Sequence, residues 1–326
     1  MLVLSRRDVE SLLDLDALVA ALSSAMTELS AGQASMPPRA AAMVAEADAV
    51  LGVMPAYLPR AHALTTKLVS VFPGNAGSAL PTHQAVLVAF DAATGEPAAL
   101  LDATYITAAR TAAGSALATR VLAREDARTL AILGTGVQAR AHARAVARMR
   151  GFTDIRVAGR DPAKAEALAA ELADAGLPAA PAAGYAEALA HADVACAATH
   201  SPDPVVRREW LAPGAHVSSV GLHPRGYEVD TATVADALVV VESRASAFAP
   251  YPAGAPELAE CVADGRLRAQ DVTEIGEVLG GTREGRTSAT QLTYYRSVGV
   301  AVQDAAAAAL VLARARELGA GTTVEV

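Results

Sequence analysis

Thr129-Leu-Ala-Ile-Leu133 runs directly into Gly134-Thr-Gly136-Val-Gln-Ala139, and the reading of these eleven residues decides the fold. A short apolar run without polar alternation is a strand buried on both faces, as in a parallel sheet. The glycines fit G-x-G-x-x-A. The first permits a tight turn, the second lets the backbone approach a pyrophosphate, and the small Ala139 keeps helix and strand close. An alanine-rich helix, expected to about Arg150, follows at once. Its free N-terminal N–H groups and its dipole would face the phosphates. The alternative is a plain strand-to-helix turn.

Downstream the same rhythm repeats. Ile155 to Ala158 reads as a second strand and Pro162 to Ala175 as a second helix. Asp193 to Ala198, His216 to Val220 and Ala237 to Val241 supply further buried strands. Strands alternating with helices imply an α/β, doubly wound parallel sheet of the Rossmann type, here over residues 116–299. The second strand ends in Gly159-Arg160-Asp161-Pro162. A site for NAD places an acidic side chain there; this chain has Gly159, then Arg160, with Lys164 one turn on. Arginine pairs well with a 2′-phosphate, so NADPH is expected ahead of NADH. The alternative leaves Arg160 as a solvated charge and gives the ribose to Asp161.

Upstream the pattern is different. Ser5 with Asp8 marks a helix start, and a second helix is expected from Asp14 to about Leu29 with Leu15, Leu18, Val19, Leu22 and Met26 on one face. Pro37 and Pro38 break it. From Val50 to Leu101 short apolar runs alternate with turn residues, the mark of an antiparallel sheet; His83 to Phe90 and Pro97 to Leu101 form one hairpin. Ala103 to Leu122 is helical by composition, and a last helix from Val300 to Leu318 stops at Gly319. Residues 1–115 with 300–326 are therefore expected to form a second, α+β domain with a mainly antiparallel sheet.

Composition narrows the function. Acidic residues outnumber basic ones 35 to 27, giving a net charge of −8, and aromatics are 4%, so neither the charge nor the stacking surface of a nucleic-acid binder is present. Cys196 and Cys261 are too few for a disulfide framework or a four-cysteine zinc site, and no metal is expected. No apolar stretch approaches the roughly 18–20 residues of a membrane span, and the N-terminus lacks a secretory apolar core. A cytoplasmic protein with no membrane partner is the expectation. Two cations stand out in apolar surroundings: Lys67 within Ala63-Leu-Thr-Thr-Lys-Leu-Val69, and Arg110 inside an alanine-rich helix. Burying such groups is costly without an anion, and a substrate carboxylate would be one. Snorkelling or an internal salt bridge is the competing account.

Leu51-Gly-Val-Met-Pro-Ala-Tyr57, Ala63 to Val69, Leu80-Pro-Thr-His-Gln-Ala85, Ala109-Arg-Thr-Ala-Ala113, Gly134 to Ala139 and Ser297-Val-Gly-Val-Ala-Val302 together resemble the ornithine cyclodeaminase/mu-crystallin family, nearest its ketimine-reductase branch. The resemblance runs nearly end to end. It implies a homodimer built on the N-terminal sheets, a Rossmann domain, and an imino- or amino-acid substrate lying between domains against the nicotinamide. The family's carboxylate-binding cations fall on Arg39, Lys67 and Arg110. Lys67 is also a candidate to donate a proton or polarise the imine region, and His83 matches a histidine that would be a proton donor or substrate contact, the alternative being a structural histidine at a strand start. The cofactor set expected is Gly134, Gly136, Val137, Gln138, Arg160 and Lys164, with Thr111, Thr199, Val220 and Ser297.

Two departures from the cyclodeaminases shape the expected activity. Gly52 takes the place of a glutamate before the Met-Pro step. The segment Gly221-Leu-His-Pro-Arg-Gly-Tyr-Glu228 is one residue short, with His223 at or beside an aspartate position and a candidate substrate contact. Losing both carboxylates argues against deamination with cyclisation and leaves hydride delivery to an imine intact. NADPH-dependent reduction of a carboxylate-bearing ketimine such as Δ1-pyrroline-2-carboxylate or Δ1-piperideine-2-carboxylate is the resulting expectation. An alanine-type dehydrogenase, a cyclodeaminase and a non-catalytic NADPH-binding protein are the alternatives.

Overall fold

The computed structural model describes residues 1–250 and 253–325. Two compact units emerge: residues 1–110 with 300–326, and residues 111–299. In the first unit the chain opens with β1 (Leu2–Leu4), α1 (Arg6–Leu12) and α2 (Leu15–Ser30). A capping box starts α1: the Asp8 backbone N–H donates to Ser5 Oγ, and the Ser5 N–H donates to Asp8. Asp14 caps α2 by accepting from the Ala17 N–H at 2.8 Å. Strands β2 (Ala40–Val44), β3 (Ala49–Leu58), β4 (Ala63–Val71), β5 (His83–Phe90) and β6 (Pro97–Asp102) follow, then α3 (Ala103–Leu122), within which the boundary between units falls.

In the second unit β7 (Thr129–Leu133), α4 (Val137–Val146), β8 (Asp154–Ala158), α5 (Pro162–Asp174), β9 (Ala179–Pro181) and α6 (Tyr185–Leu189) precede β10 (Val194–Ala197) and β11 (His216–Ser219). Then come α7 (Thr231–Asp236), β12 (Leu238–Val241), α8 (Arg244–Ala247), α9 (Pro256–Ala263), β13 (Thr273–Glu274), α10 (Ile275–Leu279) and β14 (Thr293–Arg296). The chain returns to the first unit with α11 (Ala301–Leu318), which stops at Gly319 in the left-handed region, and β15 (Thr322–Thr323).

Among the described residues the second unit has eight strands, all parallel, in the order β13-β12-β14-β11-β10-β7-β8-β9. Strand order reverses between β7 and β10, the switch point at which such sheets bind ligands beyond their carboxyl ends. The first unit's sheet runs β15-β1-β6-β5-β4-β3-β2 and is antiparallel except for the β1–β6 pair. Its strands alternate as expected of a sheet with one covered face: Met54, Ala56 and Leu58 of β3 and Leu87 and Ala89 of β5 are buried, their neighbours less so.

Short strands account for most of the differences from the sequence-based expectation. β1, β2, β9, β13 and β15 lack the length or the apolar alternation to be seen in isolation. β14 is also unexpected, although it lies between β11 and β12; it ends in Arg296, a buried charge compensated by Glu257, 2.6 Å from its Nε, and by backbone carbonyls. The helix expected to reach Arg150 ends at Val146.

Helix α11 packs against α2, β3 and β4, and Ala305, Ala306, Ala307 and Ala308 on it are all buried. Small side chains let the helix axis approach the sheet closely. Ala308 lies one turn beyond Asp304, on the same face. Ala308→Leu is expected to overpack this layer and lower unfolding stability by about 1–3 kcal/mol, read from urea midpoints.

Candidate functional site

Each unit carries one set of candidate residues. In the first unit, Lys67 sits mid-strand in β4, facing the same layer as Met54 and Leu87, its direct neighbours on β3 and β5. It is 2% exposed. Its Nζ lies 2.8 Å from Asp304 Oδ2 of α11 and donates to Thr107 Oγ1 of α3 at 3.4 Å. Arg110, also buried, donates from Nε to Asp304 Oδ1 at 3.1 Å and from Nη1 to Gln303 Oε1 at 3.0 Å. One carboxylate thus serves two cations.

The electrostatics follow from this count. Burial lowers the Lys67 pKa to about 8; Asp304 opposes the shift, and the positive charges of Arg110 and Arg39 add to it. Burial alone would raise the Asp304 pKa, but Lys67 and Arg110 outweigh it and hold the carboxyl below its usual value. His83, at the start of β5, is pushed down to about 4 by burial and then by Lys67 and Arg110. At neutral pH its imidazole is uncharged. Arg39, half-buried just before β2, is close enough for its charge to reach Lys67. Lys67, Arg110, His83 and Arg39 therefore share one electrostatic environment. Gly52 stands opposite Val69 of β4, and a Cβ there would meet Val69 Cγ1 at 3.3 Å, a tight contact with a side-chain methyl.

The second unit holds the residues expected to bind a dinucleotide. Gly134 has φ +115°, and a Cβ on it would lie 2.5 Å from the Ala198 carbonyl oxygen, so only glycine fits. Gly136 caps α4 without a side-chain partner, and a Cβ there would meet nothing within 4 Å. Open space therefore lies before a row of helical N–H groups. Val137 is 66% exposed beside it, and Gln138 Oε1 is buried without a hydrogen-bond donor. The glycine turn and the open start of α4 fit a bound pyrophosphate, whereas the Gln138 oxygen, itself an acceptor, does not add to that fit.

Gly159 is confined as well: a Cβ would come 2.7 Å from Thr135 Cγ2, which disfavours an acidic side chain at that point. Asp161 caps α5, accepting from the Ala163 and Lys164 N–H groups at 3.1 and 3.4 Å. Its carboxylate is thus already engaged, whereas Arg160 and Lys164 are exposed.

Other expected cofactor residues are tied to buried acids. Thr199 donates from N and Oγ1 to Glu228, as does the Val220 N–H, and Ser297 Oγ donates to Glu242. Thr111 is a buried residue of α3. His223, in the loop after β11, has its ring 4.6 Å from that of His200, and its Nδ1 accepts from the Arg225 N–H. The chief residue that sequence reasoning missed is Asp304. Its one signal is an acid within an alanine-rich helix that otherwise buries one face.

Residues 1–319 match the ornithine cyclodeaminase/mu-crystallin family, and the chain belongs to it. Ketimine reductase mu-crystallin of Mus musculus is 35% identical over 299 residues, 90% of each chain. The solved Δ1-pyrroline-2-carboxylate reductase of Thermococcus litoralis, in complex with NADH and L-proline, superposes with a TM-score of 0.94 at 33% identity over 99% of this chain and 100% of that one. An archaeal alanine dehydrogenase dimer with bound NAD gives 0.92 at 30% identity, over 100% and 99%.

The shared carboxylate yields a test with a definite sign. Asp304→Asn would leave Lys67 and Arg110 facing each other without their anion, a loss of about 3–5 kcal/mol at pH 6. The deficit should shrink at pH 9, because Lys67, with its pKa about 8, has then lost its proton in the folded state. Urea melts at the two pH values measure it.

Proposed function

We propose that this chain is an NAD(P)H-dependent reductase of carboxylate-bearing ketimines, with cyclic imines such as Δ1-pyrroline-2-carboxylate as the substrate class. The observation that carries this reading is the buried pair Lys67 and Arg110 with Asp304 as their shared acid. Two cations against one anion leave positive charge where desolvation makes an anionic ligand valuable. A substrate carboxylate supplies that charge, and an arginine grip fixes the neighbouring carbon in place.

Reduction of a C=N bond requires hydride at carbon and a proton on nitrogen. The reduced nicotinamide, when bound, supplies the hydride. Lys67, with its pKa about 8, is protonated at neutral pH yet able to share its proton, which suits it to polarise the imine nitrogen. His83 is kept uncharged chiefly by burial and then by Lys67 and Arg110, and a carboxylate on those two cations would ease the second of these effects. The likeness to pyrroline-2-carboxylate and ketimine reductases supports this reading. So does the absence of a carboxylate at Gly52, which a cyclodeaminase reading would need.

For the cofactor, the exposed Arg160 and Lys164 beside a committed Asp161 favour NADPH over NADH. A homodimer is supported by the uncovered face of the first unit's sheet. Val53, Leu68 and Val86 stand in register across three strands there, with Val86 42% exposed and Leu51 beside them at 43%. A monomeric mass in analytical ultracentrifugation would remove that part of the reading.

Consumption of NADPH and NADH with Δ1-pyrroline-2-carboxylate tests the whole reading. The wild-type rate should favour NADPH and fall as pH rises through about 8, where Lys67 loses its charge. Arg110→Ala should abolish turnover while NADPH still binds. Arg160→Ala should cost about tenfold in kcat/KM with NADPH and little with NADH. Undiminished turnover in Arg110→Ala would refute the substrate-site assignment.

A further inference from the structure

The carboxyl ends of β10 and β11 are tied together by a single buried side chain. Glu228 is 2% exposed. Its Oε2 accepts from Thr199 N at 2.8 Å and Thr199 Oγ1 at 2.7 Å, just past β10. Its Oε1 accepts from Ser219 Oγ at 2.9 Å, Val220 N at 3.1 Å and Gly221 N at 2.6 Å, at the end of β11. Arg296 holds the same turn by its carbonyls, donating from Nη1 to Ser219 O at 3.4 Å and from Nη2 to Gly221 O at 2.7 Å. The packing leaves no slack: a Cβ on Gly221 would fall 2.4 Å from the Thr199 carbonyl oxygen and 2.5 Å from Glu228 Cδ.

The order of the strands says what this turn faces. Along the carboxyl edge stand β8, followed by Arg160; β7, followed by Gly134 and Gly136; then β10 with Thr199 and β11 with Val220. A dinucleotide whose pyrophosphate sits on the glycines and whose adenosine half lies toward β8 must run its other half across β10 and β11. We infer that Glu228 is a positioning residue for the nicotinamide half of the cofactor, acting through Thr199, Val220 and Gly221 without touching the ligand. This rests on the dinucleotide reading given above.

A carboxylate is required, because five donors converge on its two oxygens. Glutamine would turn an NH₂ group toward some of them and leave buried donors unpaired. The loops after β10 and β11 would then relax apart, while the glycine turn after β7 and the end of β8 keep their own supports: Gly134 N donates to Ala158 O at 2.8 Å, and Asp161 caps α5.

Titration of wild type and Glu228→Gln with NADPH, NADH and the adenine-half fragments 2′,5′-ADP and 5′-ADP separates the possibilities. The expected result is intact cofactor weakened about tenfold in the variant, with the fragments bound as in wild type. Equal weakening of fragments and cofactor would show a general role in folding and overturn the inference. Unchanged binding of NADPH and NADH would overturn it too, while leaving the proposed function standing. If Glu228→Gln does not fold, Ser219→Ala removes one of the five donors and keeps the carboxylate. The same titration should then show a smaller loss, again confined to intact cofactor, and equal weakening of the fragments or no weakening at all would overturn the inference. A wild-type chain that binds neither cofactor would overturn both this inference and the dinucleotide reading on which it rests.

Discussion

Asp304, buried between Lys67 and Arg110, is the contact on which the first unit's buried charges depend. A lysine in the middle of a covered strand and an arginine in the middle of a packed helix each carry a desolvation penalty that apolar packing cannot offset. Asp304 meets both at once because α11 lies against β3 and β4, and α11 can lie there because its buried residues are mostly alanine. The compensation is incomplete by one charge. Burial first, and then the repulsion between neighbouring cations, lowers the pKa values of Lys67 and His83.

The second unit uses buried acids in the reverse sense. Glu228 and Glu242 gather backbone N–H groups and hydroxyls at the ends of parallel strands. Glu242 accepts from Ser297 Oγ at 2.8 Å and from the Val298 and Gly299 N–H groups at 2.8 and 2.7 Å. Loops at the carboxyl edge of a parallel sheet have few ladder partners, and a carboxylate with several donors fixes their course at the cost of one buried charge. Of the expected cofactor residues, Thr199, Val220 and Ser297 are therefore held by the protein itself, whereas Gly136 at the start of α4 faces open space.

Elements with strong local signals were legible in advance. The switch-point strand and its glycine turn, the hairpin of β5 and β6, the long α3 and the Gly319 stop of α11 all follow from periodicity, turn chemistry and positive φ. Lys67 and Arg110 stand out in the sequence because a cation in an apolar run needs a compensating anion. Edge strands of two to five residues carried no such signal, and β14 was hidden by a terminal arginine whose partner, Glu257, lies on α9.

By itself the sequence determined the two kinds of sheet, the glycine turn between strand and helix, the likeness to a family and the presence of cations in want of an anion. Only the tertiary structure decided which anion answers them, since Asp304 is 194 residues from Arg110 and an acid in an alanine-rich helix looks the same whether it faces water or a buried lysine. It also decided that Asp161 is spent on a helix cap and that Glu228 gathers the donors of two strand ends. Patterns along a chain report local conformation and burial. Charge compensation is settled in space, where one carboxylate can serve partners that the sequence keeps far apart.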